Sequence, residues 1–272
     1  MRLGYQTNSW GGVVGHPAGV TSIKDLYYVT PGSDELAFKE ISEAGYSGVE
    51  LFDGNIAAYK PDFVKLKTLL QQYRLNLIAI YSGANFIYPD VLEDELWRIE
   101  DAAAMAQALG AEHLVVGGGA IRNDGPRDDD YSRVAHGLDR VVDIADSHHL
   151  KASFHPHMGT IAQSPDQIER ILDNTHIGFC PDLAHLYAGG SDVISLLQRY
   201  ITRTSYIHFK DYNQNQFVPL GEGLVPISKS LELLQDSGYD GWITVELDGY
   251  SGDPGSAAKA NKEFLERLGT SH

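Results

Sequence analysis

Two histidines separated by a single residue follow a short strand-like run in the middle of the chain. The run covers 151–154, and His155 and His157 come directly after it with Pro156 between them. Alternate residues of a strand point to the same side, so both imidazoles project into one space at the strand's end. Proline fits the end of a strand far better than its middle. Because imidazole binds metal ions and transfers protons near neutral pH, the pair predicts a metal or acid–base site.

Three further strand-like runs end in groups with the same chemistry. Asp182, His208 and Glu246 each lie at or near the end of one of these runs. With His155 they provide two imidazoles and two carboxylates. Mixed nitrogen and oxygen ligands suit Mn²⁺, Co²⁺, Fe²⁺ or Zn²⁺ better than the all-oxygen shells of Mg²⁺ or Ca²⁺. No pair has the spacing of a metal motif, so the prediction depends on all four lying at strand ends.

The elements that carry these residues alternate along the whole chain, without a long linker or an internal repeat. Strands are predicted at 2–7, 48–52, 76–81, 112–116, 151–154, 177–182, 204–210 and 242–246. Helices are predicted at 34–44, 61–73, 93–109, 131–149, 165–172, 192–200, 224–237 and 256–268. Strict β/α alternation implies parallel strands joined by right-handed crossovers. Eight such units in 272 residues predict a single α/β domain over 1–272, a closed (β/α)₈ TIM barrel, because such barrels have about 250 residues.

A TIM barrel places its active site at the carboxyl ends of its strands. His155, Asp182, His208 and Glu246 fall on the fifth to eighth predicted strands. They are therefore predicted to be neighbours on one side of the barrel's rim, as a shared metal ion requires.

Other side chains at the rim are predicted to contact a substrate. Glu50 and Tyr81 end the second and third strands, and His185 follows Asp182 by three residues. Glu50 either binds a substrate hydroxyl or pairs with a basic group. His185 either contacts substrate or makes a local hydrogen bond. Lys210 either contacts a substrate oxygen or anchors its neighbour.

Aromatic residues in the front loops are candidates for an apolar wall against a sugar ring. Trp10 lies in a long loop that extends to about Gly32, and Phe86 lies in an aromatic loop after the third strand. Either ring could belong to the core. We predict that both face the substrate.

The amino-acid composition limits the classes of molecule that this protein can bind. The net charge of −16 disfavours nucleic acid, because phosphate binding needs concentrated Lys and Arg. The single cysteine, Cys180, excludes an internal disulfide and is typical of a reducing compartment. The amino terminus lacks the apolar core of a signal peptide, and no apolar run reaches membrane-spanning length. We expect a cytoplasmic protein with a small-molecule substrate, no membrane or nucleic-acid partner, and a homo-oligomer as an option.

Several of these residues resemble a known family. Asp182 and His185, the run His208-Phe209-Lys210-Asp211, and Val245-Glu246 resemble the xylose isomerase-like TIM barrels of the sugar isomerase/epimerase superfamily. Within that superfamily, the segment 155–160 (HPHMGT) is similar to the His-Met-Gly-Thr signature of inosose (2-keto-myo-inositol) dehydratases. The resemblance implies one divalent metal, with Mn²⁺ first among Mn²⁺, Co²⁺, Fe²⁺, Zn²⁺ and Mg²⁺. The implied metal ligands are His155, Asp182, His208 and Glu246.

One departure bears on the reaction. Ketose 3-epimerases of the superfamily carry Glu at the position of His155 and use it with the last-strand Glu as acid and base. The resemblance therefore implies a carbon–oxygen lyase, a dehydratase that acts on a keto-cyclitol or keto-sugar through an enediolate. His157 or Glu246 is the candidate base, and His157 or Lys210 is the candidate acid.

Other functions stay open on the same residues. The first alternative is a sugar isomerase or epimerase, of the aldose–ketose or ketose 3-epimerase type. The second is a lyase that cleaves 3-keto-glycosides, C-glycosides included. An endonuclease-IV-like enzyme needs more ligands and a basic groove, and a sugar-binding module needs no metal ligands.

Overall fold

Eight parallel strands form a barrel in the computed structural model, which describes residues 1–10 and 27–270. The described residues contain ten strands, of which eight belong to the barrel: β1 Arg2–Gln6, β2 Gly48–Phe52, β3 Asn76–Ala84, β4 His113–Gly118, β5 Lys151–Phe154, β6 Gly178–Phe179, β7 Tyr206–Phe209, β8 Asp211–Asn213, β9 Gln216–Val218 and β10 Trp242–Val245. Around the barrel the order is β6-β5-β4-β3-β2-β1-β10-β7. Strands β8 and β9 form a separate antiparallel hairpin. The predicted TIM barrel is confirmed.

Helices follow the strands and cover the outside of the barrel. They are α1 Asp34–Glu43, α2 Asp53–Ala57, α3 Phe63–Gln72, α4 Pro89–Ala108, α5 Asp128–Ser147, α6 Pro165–Leu172, α7 Leu183–Ala188, α8 Val193–Tyr200, α9 Ile227–Asp236 and α10 Pro254–Arg267. Ser33 caps α1 by accepting from the Leu36 amide, as Ser does at helix starts. Helices α2 and α7 were not predicted, because one or two turns are too short to show a helical period. Within the two described ranges, no helix is long and apolar enough to cross a membrane.

The barrel closes between β6 and β7, which form no continuous ladder. The His208 amide donates to the Pro181 carbonyl at 2.9 Å, and two isolated parallel bridges join Phe179 to Thr204 and Asp182 to His208. This closure has a direct consequence for the rim. It places Asp182 and His208, which are remote in sequence, side by side.

Two apolar layers hold the barrel together. The larger lies between the sheet and the helices, and the smaller fills the barrel's interior with side chains such as Ile78, Val115 and Trp242. Cys180 belongs to the interior and is fully buried. Strands that are buried on both faces read as continuous apolar runs, which explains why the sequence pattern located them.

A buried ion pair ties α4 to the rim of the barrel. Arg98 donates to Asp53 at 2.9 Å and to the Gly83 carbonyl. The same carboxylate accepts from the Ser82 hydroxyl at 2.7 Å and from the Tyr28 amide at 2.8 Å. Burial raises the pKa of Asp53 to about 6, against the opposing effect of the Arg98 charge. The network therefore fixes the backbone at the ends of β2 and β3 and the segment around Tyr28.

Replacing Arg98 by Met should strongly destabilise the fold. The Asp53 carboxylate would stay buried without its cation, and breaking a buried pair in this way costs about 3–5 kcal/mol of unfolding free energy. Urea denaturation of R98M, D53N and the double variant measures this. We expect the double variant to lose less than the sum of the single losses. Additive losses would show that the two groups do not interact.

Candidate metal centre

Four strands deliver the predicted ligands to one point at the carboxyl end of the barrel. His155 Nε2 lies 3.5 Å from Asp182 Oδ2 and 4.0 Å from Glu246 Oε2. His208 Nδ1 lies 2.8 Å from Glu246 Oε2 and 4.0 Å from Asp182 Oδ2. All four side chains are buried, and their ligand atoms lie within 4.8 Å of one another. The structure therefore brings the four predicted ligands together.

The unpaired atoms of this cluster fit a bound cation. Asp182 Oδ1 caps α7 by accepting from the Ala184 and His185 amides, both at 2.9 Å, so that Oδ2 points into the cluster. Both ring nitrogens of His155 have no hydrogen-bond partner among the described residues. Asp182 Oδ2, Glu246 Oε2 and His208 Nδ1 face one another and the Lys210 ammonium. Leaving a buried acceptor unpaired costs about 1–3 kcal/mol. A divalent ion that accepts nitrogen and oxygen ligands would use these lone pairs.

Glu50 holds His208 in the orientation that a ligand needs. His208 Nε2 donates to Glu50 Oε2 at 3.0 Å, and Gln6 donates to the other oxygen at 3.1 Å. With the proton on Nε2, the Nδ1 lone pair faces Asp182 and Glu246. A carboxylate behind a ligating histidine is a common arrangement at metal sites. Two roles were predicted for Glu50, binding a substrate hydroxyl or pairing with a basic group, and its full burial and this contact favour the second.

Metal binding at this centre competes with a proton. Burial would lower the pKa of His208, but the carboxylates of Glu50 and Glu246 outweigh it and raise the pKa to about 10. Burial lowers the pKa of His155 to about 4, so this imidazole is neutral at pH 7. An ion bound by His208 therefore releases a proton from the site.

Replacing Glu50 by Gln should weaken metal binding about 10–100-fold, the usual effect of losing the partner behind a ligating histidine. Isothermal titration of the metal-free protein with Mn²⁺ measures the affinity. Glu112→Gln is the matched control, because Glu112 bonds to Arg2 and Trp242 at the opposite, amino-terminal end of the barrel. Equal affinities for the two variants would remove Glu50 from the metal site.

Lys210 lies against the four ligands. Its Nζ is 3.0 Å from Asp182 Oδ2 and 3.1 Å from Glu246 Oε2. Burial would lower the pKa of Lys210, but the carboxylates of Asp182, Asp248 and Glu246 raise it above its usual value. A lysine held in this charged state is a fixed hydrogen-bond donor and a weak proton donor. The geometry favours a role in binding the carboxylate oxygens of Asp182 and Glu246 over the predicted role as an acid.

His157 offers a free lone pair beside the cluster. Its Nδ1 lies 2.6 Å from the Met158 carbonyl, so Nδ1 carries the proton and Nε2 is unprotonated. The ring packs 3.7 Å from the His185 ring and 5.8 Å from the His155 ring, between centroids. Burial lowers the pKa of His157 well below 6.5, and the charge of Lys210 acts in the same direction. Its neutral imidazole can therefore accept a proton at pH 7.

A cavity of about 200 Å³ opens beside His157 on the β3 and β4 side of the rim. Tyr81 lines it and meets the His155 ring edge-on at 5.4 Å between centroids. The other lining residues are Tyr28, Gly83, Ala84, Asn85, Gly118, Gly119, Ala120, Gly159 and Thr160. His157 is the one residue among the described lining residues with an acidic or basic group that titrates near neutral pH, and its imidazole is neutral. The cavity thus presents hydroxyl, amide and backbone groups to a ligand.

The structure places two predicted contact residues in the core. The Trp10 indole donates to the Glu40 carboxylate of α1 and packs edge-on against Tyr5. Phe86 is 1% exposed and lies so close to Gly137 of α5 that a Cβ there would sit 2.5 Å from its ring. Neither residue lines the cavity. Most of the loop that follows Trp10 lies outside the described residues.

Sequence reasoning missed Asp248 and Asn8. The Asn8 amide donates to Glu246 Oε1 at 3.1 Å and also to Asp248. Asp248 follows Glu246 by two residues, the same spacing as His155 and His157, so strand alternation was an available signal. Asn8 lies after β1 in a short 3₁₀ turn and carried no such signal.

A parallel eight-stranded barrel with two histidines and two carboxylates at its carboxyl end defines a TIM-barrel enzyme with a candidate metal centre. The chain matches the family described as "Xylose isomerase-like TIM barrel" over residues 38–268, and it belongs to that family. It is 30% identical to the inosose dehydratase of Lacticaseibacillus casei, over 85% of this chain and 88% of that one. The predicted family is confirmed.

Solved structures show the same fold. A D-tagatose 3-epimerase-like protein superposes with a TM-score of 0.76 at 18% identity, covering 98% of this chain and 97% of the other. The probable 3-DHS dehydratase AsbF of Bacillus anthracis gives a TM-score of 0.73 at 14% identity, with coverages of 98% and 99%. At these identities the likeness concerns architecture alone.

Proposed function

We propose that this protein is a divalent-metal-dependent dehydratase that removes water from a keto-cyclitol of the 2-keto-myo-inositol type. The observation that carries the proposal is the position of His157, which lines the cavity, lies 5.8 Å from the His155 ring between centroids and directs its Nδ1 at the Met158 carbonyl. The inosose dehydratase relative supports the same reaction class. The enzyme is therefore a carbon–oxygen lyase.

His155, Asp182, His208 and Glu246 would hold the metal, with Mn²⁺ as our first choice. When bound, the ion supplies Lewis-acid stabilisation of the negative charge that develops on substrate oxygen as the α-proton leaves. Asp182 Oδ2 and Glu246 Oε2 both point into the cluster, next to the ring nitrogens of His155 and His208. We therefore assign Glu246 to metal binding, although it was also a candidate base.

His157 performs the proton transfers. Its Nε2 takes the proton from the carbon next to the carbonyl, and the resulting imidazolium returns a proton to the hydroxyl that leaves as water. The base is thereby regenerated and no further reactant is consumed. A positioned imidazole of this kind contributes about 10²–10⁴-fold to rate. The buried Lys210 ammonium lies within 3.1 Å of Asp182 and Glu246, and we assign it to balancing the charge of these two ligands.

The cavity supports an uncharged ring as substrate. A phosphate or carboxylate group would need a cationic partner, and the described lining of the cavity contains neither Lys nor Arg. The hydroxyls of Tyr28, Tyr81 and Thr160 and the Asn85 amide suit the hydroxyls of a cyclitol. Role in inositol catabolism, cytoplasmic location, a homo-oligomeric state and a single domain over 1–272 stay predictions.

Comparing substrates tests the proposal. Protein loaded with Mn²⁺ is incubated separately with 2-keto-myo-inositol, with free ketoses and with a 3-keto-glucoside, and products are identified by mass spectrometry. From 2-keto-myo-inositol we expect a product whose mass is lower than that of the substrate by one water molecule. Interconverted ketoses would show an epimerase or isomerase instead. Release of the aglycone would show a keto-glycoside lyase.

A further inference from the structure

A second group of potential metal ligands lies next to the first and shares no residue with it. His157, His185 and Asp248 each offer one ligand atom, and these atoms lie within 4.8 Å of one another. His185 Nε2 is 3.6 Å from Asp248 Oδ2. Ligands bound tetrahedrally to Zn²⁺ at 2.0–2.1 Å are about 3.4 Å apart. The spacing of this cluster therefore suits a divalent ion.

The ammonium group of Lys210 already lies in this cluster. Its Nζ is 2.8 Å from Asp248 Oδ2 and 3.0 Å from His185 Nε2. Lysine only donates hydrogen bonds, so His185 Nε2 presents its lone pair to the ammonium just as it would to a metal. The same Nζ lies 3.0 Å from Asp182 Oδ2. The side chain is completely buried, so its charge serves these groups rather than solvent.

A metal ion in this cluster would disable the proposed reaction. Its third ligand would be His157, whose Nδ1 is committed to the Met158 carbonyl, so only Nε2 could bind. That nitrogen is the base of the proposed dehydration. A positive charge can balance Asp248 and still leave the His157 lone pair available. An ammonium group has this property, because it donates hydrogen bonds and does not coordinate a lone pair as a metal does.

We infer that Lys210 occupies the position of a second metal ion, and that the cluster of His157, His185 and Asp248 is a latent divalent-cation site that this ammonium keeps closed. The inference rests on the proposed function in one respect: the closed site would benefit the enzyme by keeping His157 free as a base. The latent site itself follows from the geometry of the cluster. Its ligand is a borderline cation such as Zn²⁺, for which two imidazoles and one carboxylate are suitable ligands.

Lys210→Met opens the site, because it removes the charge and keeps an unbranched side chain of similar length. After equilibrium dialysis against Zn²⁺ alone, metal content is measured by mass spectrometry. We expect one more ion per chain in K210M than in the unmodified protein. The additional variant His157→Asn should remove that extra ion from K210M. Lys262→Met, which removes another buried lysine paired with Glu266, should leave the metal content unchanged.

The number of extra ions in K210M tests the latent site independently of the proposed function. One ion in the unmodified protein tests the metal centre of His155, Asp182, His208 and Glu246, whereas the extra ion in K210M tests the latent site. Lys210→Gln serves as a second opening variant, and circular dichroism checks the fold of both. No extra ion in a folded opening variant, or an extra ion that survives the loss of His157, would overturn the inference.

Discussion

His157→Asn should abolish dehydration of the keto-cyclitol while the protein still binds one metal ion per chain. His157 is not among the four ligands of the first centre, so metal content should not change. Losing a positioned base lowers kcat by about 10²–10⁴-fold. Asparagine retains a polar side chain that can bond to the Met158 carbonyl, which limits the change to the missing Nε2.

Proton exchange separates the loss of a base from a loss of substrate binding. In D₂O, the unmodified enzyme should exchange the substrate's α-hydrogen, as followed by NMR, and H157N should not. His149→Asn is the matched control, because His149 is exposed and has a φ of 58°, a conformation that asparagine tolerates. Continued exchange of the α-hydrogen in H157N would assign the proton transfer to another group. Glu246 is the next candidate.

Asp182→Asn should remove both the metal and the activity without unfolding the protein. The oxygen that caps α7 is Oδ1, and asparagine is an equally good cap. The substitution therefore tests the charge on Oδ2, the oxygen that points into the cluster. We expect Mn²⁺ affinity to fall by more than the roughly 10–100-fold that outer partners contribute.

Metal analysis, activity assays and stability measurements check this result. Metal analysis should find D182N empty, and a chelator should bring the unmodified protein to the same inactive state. Added Mn²⁺ should then restore the unmodified protein and fail to restore D182N. Asp182→Ala, which also loses the cap, should cost about 1 kcal/mol more stability than D182N. Full metal content in D182N would exclude Asp182 as a ligand.

Local patterns predicted most of the fold because they report on burial along each segment. The predicted strands at 48–52 and 151–154 and the helix at 165–172 match the structure residue for residue. The hairpin of β8 and β9 was predicted as a loop. Each of its strands has three residues, too few for an alternation to be recognised.

The four ligands were predictable for a geometric reason. Parallel strands of a barrel all end at the same rim, so a strand-end position in the sequence already locates a residue in space. His155, Asp182, His208 and Glu246 are such positions, and no information on packing was needed to bring them together. The separation of His155 and His157 by one residue likewise follows from the two-residue period of a strand.

Roles beyond the strand ends depended on contacts between segments that are remote in the chain. Glu50 lies behind His208 because two strands pack across the barrel's interior, and Lys210 meets Asp248 because β7 adjoins β10. Trp10 and Phe86 turn into the core because their loops have no periodic constraint on side-chain direction. Chemistry and architecture thus followed from residue type and local period, whereas the partner of each polar side chain was decided by three-dimensional packing.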